Sequence, residues 1–412
     1  MSGILTRVAQ EGGKDMSKVK ISTETGIKGD DIGPEVIYYW YSPEVKCRGV
    51  VVIDTTAFGL SVGGTRMLPD ITTNEIVSLA RAMTYKYISL GRSRGGGKAG
   101  IWADPNMQRS QREAIMRAYG RAIKPLVQAG TFSPGADMGV SHADMVWVRE
   151  ETGQEAALPK FWLEEKDGES LDYHFTGYGV VVAAQAACDF MKMDISRATV
   201  AIEGFGKVAS GVARYADQLG AKVVAVSTIR GAIYNERGLD VKKLIELRKS
   251  FGDDLVLKYD DAKTMNKEDL FYLPVDILVP GSRPWVINEN NVDKVKAKLI
   301  SSGANIPITK EAEERLFQRG ITVIPDFISN SGGALSSHIG RLDVNSGEAF
   351  EAIKRIMRNS VLELMEVASR EKISPTKLAK QRATDTFRKW KAEGAPPDEE
   401  YTKKLKEATG VS

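Results

Sequence analysis

The sequence predicts an α/β protein of two domains, and three observations lead there. From residue 198 onward, short apolar strand-like segments alternate with helical ones, the series opening on a strand, a glycine turn and a helix. In the first half, buried-strand patterns mix with segments whose apolar residues recur at helical spacing. The chain has 412 residues, more than one hydrophobic core usually organises, so about two domains are expected.

The first thirty or so residues carry weak periodicity among many polar groups, and order is expected to begin near Ile37. Residues 49–54, Gly-Val-Val-Val-Ile-Asp, read as a buried strand. Residues 73–86 read as a helix, with Ile76, Leu79, Ala80 and Met83 along one face. Residues 111–129 and 143–151 read as two further helices. The charged, glycine-containing stretch 164–169 precedes Phe175-Thr176-Gly177 and is read as the passage between domains. Beyond it, residues 179–191 form a helix, 198–203 a strand, 207–218 a helix and 222–227 a second strand. Later strands at 277–279, 299–301 and 322–324 alternate with helical segments such as 310–319, which describes an open parallel sheet. Residues 348–369 are helical by periodicity. The tail after Ser374 is charged and is broken at Gly394-Ala395-Pro396-Pro397.

Composition narrows the classes of function. Hydrophobic residues make up 42% and charged residues 27%, and the net charge of +3 is small and spread evenly, so no nucleic-acid surface is expected. Cys47 and Cys188 fall in different predicted domains and are read as packing residues rather than a disulfide. His142, His174 and His338 lack the spacing of metal ligands, and no metal site is expected. No stretch is apolar enough to cross a bilayer and none near Met1 resembles a signal segment, which points to a cytoplasmic protein without membrane partners.

Two lysines carry the most chemical information. Lys86, in Met83-Thr84-Tyr85-Lys86, sits at the end of an apolar-faced helix, and Lys98 follows Gly95-Gly96-Gly97. Glycines permit positive φ and close backbone approach, so this run is expected to form a loop that admits an anion or a carbonyl oxygen. Ammonium groups in such settings lose solvation, which lowers their pKa and fits them to polarise a carbonyl or exchange a proton. Gly63-Gly64-Thr65-Arg66-Met67 lies upstream, and Asp137 lies downstream in Ser133-Pro134-Gly135-Ala136-Asp137-Met138-Gly139-Val140. A third signal is Gly204-Phe205-Gly206-Lys207-Val208-Ala209, which follows a predicted strand and opens an amphipathic helix. In that context the first glycine makes the turn, the second lets a pyrophosphate approach, and Ala209 keeps helix and strand close, a dinucleotide site at a helix N-terminus.

These motifs, in this order and over roughly residues 36 to 340, resemble the glutamate/leucine/phenylalanine/valine dehydrogenase family. The resemblance implies a substrate-binding and oligomerisation domain over residues 1–175, to which helices from 341–412 return, and a Rossmann-type dinucleotide domain over 176–340, with a cleft between them. It implies an NAD(P)-dependent enzyme that converts an L-amino acid reversibly to its 2-oxo acid and ammonia, assembled as a homo-oligomer, a hexamer or other closed form. By matching positions, Lys86 would bind the substrate carboxylate, Lys98 would contact the reacting carbon's oxygen and a catalytic water, and Asp137 would carry protons. Gly63 and Gly64 would line the substrate. Thr176 would hydrogen-bond the nicotinamide amide, and Asn305 and Asn330 would line the coenzyme and the substrate amino group. Gly204, Phe205, Gly206, Lys207 and Val208 would hold the dinucleotide.

Two departures bear on specificity. Thr228 stands where many relatives carry aspartate, and Arg230 is able to pair with a 2′-phosphate, so NADP is favoured with NAD as second choice. Glutamate enzymes of this type usually carry lysine immediately before the Gly-Gly pair, and this chain has Val62, whereas Ser337 is hydroxyl-bearing as in glutamate enzymes. A buried carboxylate without its charge partner costs more than one neutral hydrogen bond returns, so an apolar or branched-chain amino acid is favoured, with glutamate as the alternative. A reading of another class, a non-catalytic amino-acid-sensing paralogue, is opposed by the intact Lys86, Lys98 and Asp137.

Overall fold

Five strands form the first sheet: β1 (Val36–Ser42), β2 (Cys47–Ile53), β3 (Ser61–Met67), β4 (Gly95–Ile101) and β5 (Phe132–Ala136), in the order β1-β2-β4-β3-β5. The computed structural model describes residues 27–154, 159–166 and 169–410. The polar N-terminal stretch up to residue 26 and part of the charged passage at 164–169 therefore lie outside the described residues. β1 and β2 pair antiparallel from Val36 opposite Ile53 to Ser42 opposite Cys47, and β2 pairs antiparallel with β4. β4, β3 and β5 run parallel. Val50, Val51, Val52 and Ile53 are fully buried, the signature of a strand covered on both faces.

The glycine run at 95–97 departs from expectation: it is not a loop but the start of β4, whose seven residues are all buried. None of these three glycines has positive φ. They are glycines because the sheet leaves no room for side chains: a Cβ on Gly97 would stand 2.7 Å from a ring carbon of Phe132, and one on Gly63 would stand 1.5 Å from the Gly97 carbonyl oxygen.

Helix α1 (Thr73–Ser89) lies on one face of this sheet, with Ile76 over Gly100. Helices α2 (Arg109–Gln128) and α3 (His142–Thr152) pack against each other, and Tyr119 of α2 reaches the Thr65 hydroxyl at 2.9 Å. A capping box at Ser141 and Asp144 starts α3, and Gly153 in the left-handed region ends it.

The second sheet has seven strands in the order β11-β10-β9-β8-β12-β13-β14. A two-residue hairpin, β6 (Glu165–Lys166) and β7 (Glu169–Ser170), precedes it in sequence, with helix α4 (Asp172–Phe190) following. The sheet strands are β8 (Thr199–Glu203), β9 (Lys222–Thr228), β10 (Gly231–Tyr234), β11 (Lys263–Met265), β12 (Ile277–Pro280), β13 (Leu299–Ser301) and β14 (Thr322–Ile324). β9, β8, β12, β13 and β14 are parallel, and β10 and β11 add an antiparallel edge. Chain order reverses direction between β8 and β12, which defines a topological switch point at their C-terminal ends.

Helices α5 (Lys207–Gln218), α6 (Val241–Phe251), α7 (Leu255–Lys258) and α8 (Lys310–Gln318) cover both faces of this sheet. Val200 and Ile202 enter the core under α4 and α5, while Ala201 between them enters the core under α8. Helix α4 starts seven residues before the expected position at 179, which puts Thr176 and Gly177 inside the helix rather than ahead of it.

Short helix α9 (Asp326–Ser329) and helix α10 (Gly332–Ile339) follow β14, then α11 (Ser346–Glu371), α12 (Pro375–Glu393) and α13 (Asp398–Thr409). Contacts divide the chain into two units: one holds the described residues up to Ala80 and from Gly95 to Gln154, the other Arg81–Arg94 and everything from Pro159 to Gly410. The C-terminal helices thus group by contacts with the second unit. The cause is the stripe Ala349, Ala352, Ile353, Met357, Val361 and Met365, which buries against the same core as α4. The charged tail after Ser374 is two helices separated at the Gly394–Pro397 break. Ser374 caps α12 and Pro375 begins it, and Tyr401, Leu405 and Ala408 form the narrow buried stripe of α13.

Candidate active site

Alternation along β3 and β4 collects one set of side chains on one face. Val62 is paired with Gly96 and Arg66 with Gly100, so Val62, Gly64 and Arg66 share a face with Gly96, Lys98 and Gly100. β5 adds Ser133 beside Val62, and Asp137 follows the last residue of that strand. Lys98 Nζ lies 2.5 Å from Asp137 Oδ2. Arg66 reaches the same Asp137 oxygen at 3.3 Å and, with its other arm, Glu75 at 2.7 Å. Gly64 permits this closure, because a Cβ there would stand 2.7 Å from the Asp137 Cβ.

Burial and charge set the protonation of this group. Burial pushes Lys98 below the ordinary lysine range, Asp137 partly offsets that, and the neighbouring Arg66 cation pushes it further down. Burial alone would raise Asp137, but Arg66, Lys98 and the Met138 backbone N–H overcome it and hold the carboxyl well below the usual range. For Arg66, burial works against the charge and its two carboxylates prevail, so it stays ionised. The result is a fixed carboxylate beside an amine that gives up its proton more readily than a free lysine does. The cation beside Lys98 is Arg66, a residue of the quoted glycine motif to which the sequence reading gave no role. Its signal was present: an arginine two residues beyond a glycine pair in a strand with no exposed position.

In the second unit, Gly204 takes φ +79° and turns the chain from β8 into α5. A Cβ on Gly204 would stand 2.4 Å from the Ser282 Cβ, whereas one on Gly206 would meet nothing within 4 Å. The N-terminus of α5 has no side-chain cap. An open space over uncapped backbone N–H groups at the switch point fits a pyrophosphate. Phe205 is buried and its N–H donates to the Ser227 carbonyl at 2.7 Å, while Lys207 pairs with Asp172 at 2.5 Å. Val208 lies under Gly303, where a Cβ would be 3.1 Å from it.

Glu203, the last residue of β8, has no counterpart in the sequence reading. Its carboxylate accepts from the Gly281 and Ser282 N–H groups at 3.1 Å each and from the Ser282 hydroxyl, fastening the β12 turn against the glycine turn.

Lys86, buried in the last turn of α1, donates to Asn305 Oδ1 at 3.5 Å. Asn330 donates to the same oxygen at 2.9 Å and to the Ala304 carbonyl at 3.0 Å, and its own buried Oδ1 accepts no hydrogen bond among the described residues. Ile306, next to Asn305, is held at φ +48°, a costly conformation for a β-branched side chain, with its N–H donating to Asp326 at 2.8 Å. Thr176 of α4 faces α10, where a Cβ on Gly333 would stand 2.4 Å from the threonine hydroxyl. Ser337 is half-buried on the face of α10 that also carries Gly333 and Ala334. Two clusters therefore gather the named residues: Val62, Gly64, Lys98 and Asp137 in the first unit, and Lys86, Asn305 and Asn330 in the second. At the end of β9, the Thr228 hydroxyl is buried and donates to the Asp253 carbonyl at 2.7 Å, and Arg230 pairs with Asp254 at 2.8 Å.

A dinucleotide-type turn, a buried lysine–carboxylate pair and a second lysine donating to Asn305 are features expected of an oxidoreductase acting on amino acids, and comparison with known proteins gives that class. Residues 168–393 match the model of the Glutamate/Leucine/Phenylalanine/Valine dehydrogenase family, and residues 44–154 match that of the Glu/Leu/Phe/Val dehydrogenase dimerisation domain. The chain belongs to this family. It is 35% identical to the NADP-specific glutamate dehydrogenase of Saccharolobus shibatae over 71% of this chain and 70% of that protein. It is 34% identical to the NAD-specific glutamate dehydrogenase of Staphylococcus aureus over 71% of each. Among solved structures, the hetero-hexameric glutamate dehydrogenase of Thermus thermophilus in its Leu-bound form superposes with a TM-score of 0.75 at 25% identity, covering 88% of this chain and 91% of that one. Among the described residues no helix is long and apolar enough to cross a membrane.

Proposed function

We propose that the chain is a cytoplasmic, homo-oligomeric dehydrogenase that converts an L-amino acid reversibly to its 2-oxo acid and ammonia with NADP or NAD. The observation that carries this reading is the Lys98–Asp137 pair at 2.5 Å, clamped by Arg66 in a face otherwise lined by glycine and valine. Gly204–Val208 and Thr176 would hold a nicotinamide coenzyme, which would supply the two-electron acceptor. The protein's own groups do the rest. Lys86, oriented by Asn305, neutralises the substrate carboxylate, and the open Oδ1 of Asn330 accepts from its amino group. Neutral Lys98 takes a proton from the attacking water and, once charged, stabilises the oxygen on the reacting carbon. Asp137 passes protons to the departing ammonia.

The side-chain pocket is read from Val62, half-buried between Gly96 and Ser133, which offers no cation to a distal carboxylate. An apolar or branched side chain is therefore the preferred substrate class. Glutamate is the second reading, favoured by Ser337 and by the names of the relatives. Purified enzyme with ammonia, reduced coenzyme and each of 2-oxoisocaproate, 2-oxoisovalerate, phenylpyruvate and 2-oxoglutarate separates them. Dominant turnover of a branched 2-oxo acid supports the first reading, dominant turnover of 2-oxoglutarate the second, and no turnover of any overturns the dehydrogenase reading.

A further inference from the structure

The end of β9 carries more charge than Thr228 and Arg230 alone. In a sheet of this topology the adenosine ribose of a dinucleotide rests beyond the C-terminal end of the strand after the glycine turn, which here is β9. The Thr228 side chain is 5% exposed, with its hydroxyl donating to the Asp253 carbonyl and accepting from the Arg230 N–H at 3.1 Å, so it is committed within the protein. The same bond draws the turn Gly252–Asp254 against the strand end. Two carboxylates arrive with it. Asp254 pairs with Arg230 at 2.8 Å and Asp253 with Arg248. Arg230 at the strand end is thus matched by an aspartate from the later turn, and Arg248 of α6 by the neighbouring aspartate of that turn.

We propose that Asp254, seconded by Asp253, is the coenzyme-selectivity residue of this protein, doing from the turn after α6 what an acidic residue at the strand end does in other dinucleotide folds. The proposal rests on the reading of Gly204–Val208 as a dinucleotide site. A ribose 2′-hydroxyl finds carboxylate acceptors there. A 2′-phosphate finds Arg230 only by displacing Asp254, and then sits beside two carboxylates that repel it. The pairs are half-exposed, so the arginines are held loosely enough to be released by removing one negative charge.

The test measures binding apart from turnover, by titrating NADPH and NADH against the full-length protein and its Asp254→Asn, Arg230→Ala and double variants. Asp254→Asn should tighten NADPH about tenfold and leave NADH within about threefold. Adding Arg230→Ala should erase that gain. The proposal is overturned if the NADPH/NADH ratio of dissociation constants moves less than twofold in Asp254→Asn, or if the gain survives loss of Arg230. Wild-type protein that binds neither dinucleotide would overturn the reading of the glycine turn as well, an outcome distinct from an unmoved ratio.

Discussion

Replacing Arg66 by methionine removes one guanidinium shared by two carboxylates. Glu75, whose side chain is 5% exposed, would lose a partner at 2.7 Å, and Asp137 would lose one at 3.3 Å. Breaking a buried ion pair by deleting one member costs about 3–5 kcal/mol, because the remaining charge stays desolvated. The Asp137 share is smaller, since Lys98 remains at 2.5 Å, so most of the loss falls on Glu75. Urea denaturation at fixed protein concentration reads the loss as a lower midpoint with unchanged slope. Adding Glu75→Gln to the variant should return at least about 1 kcal/mol, because the buried charge that Arg66 had compensated is then gone. The same substitution has a kinetic signature. Arg66 depresses the Lys98 pKa, so the pH limb assigned to Lys98 should move upward in Arg66→Met. A loss below about 1 kcal/mol together with an unmoved limb would refute the shared-clamp account.

In amino-acid oxidation, kcat of the wild type should rise with pH as Lys98 loses its proton, through a pKa below the ordinary lysine range, and a profile flat from pH 6 to 10 would count against it. Asp137 has a depressed folded-state pKa, so its contribution to stability is present above the unfolded value near 3.9 and lost as pH falls through the folded value. The stability gap between wild type and Asp137→Asn should accordingly be constant above about pH 5 and shrink on further acidification, as read from denaturation midpoints. Gly97→Ala should destabilise the first sheet by about 1–3 kcal/mol, seen as a lower thermal midpoint, because its Cβ would meet the Phe132 ring at 2.7 Å. Val62→Lys places an ammonium on the Lys98 face and should raise the 2-oxoglutarate to 2-oxoisocaproate ratio of kcat/KM about tenfold or more; an unchanged ratio would reject the pocket assigned to Val62.

The parallel sheet of the second unit was legible because its strands are short apolar runs bounded by turns and its helices have wide apolar faces. The α5 and β13 boundaries agree with the sequence reading to the residue. The glycine run before Lys98 misled because glycine serves close packing in a strand as well as freedom in a loop, and the neighbours that decide, Gly63 and Phe132, are distant in sequence. The bounds of helices α12 and α13 were not legible, since each buries only a narrow stripe within a highly charged composition. Lys98 and Asp137 were found from their motifs, yet Arg66, Glu75 and Asp254 were not. Their importance lies in pairings across 71, 9 and 24 residues, which no local pattern encodes.

The account turns on Asp137 acting as a proton carrier beside Lys98, and steady-state oxidation by Asp137→Asn tests it most directly. The isosteric amide keeps shape and removes the carboxylate that accepts and hands on a proton, so kcat should fall about 10²-fold or more while KM for the amino acid stays within a few-fold. Retention of wild-type kcat by a folded Asp137→Asn protein would contradict the central claim.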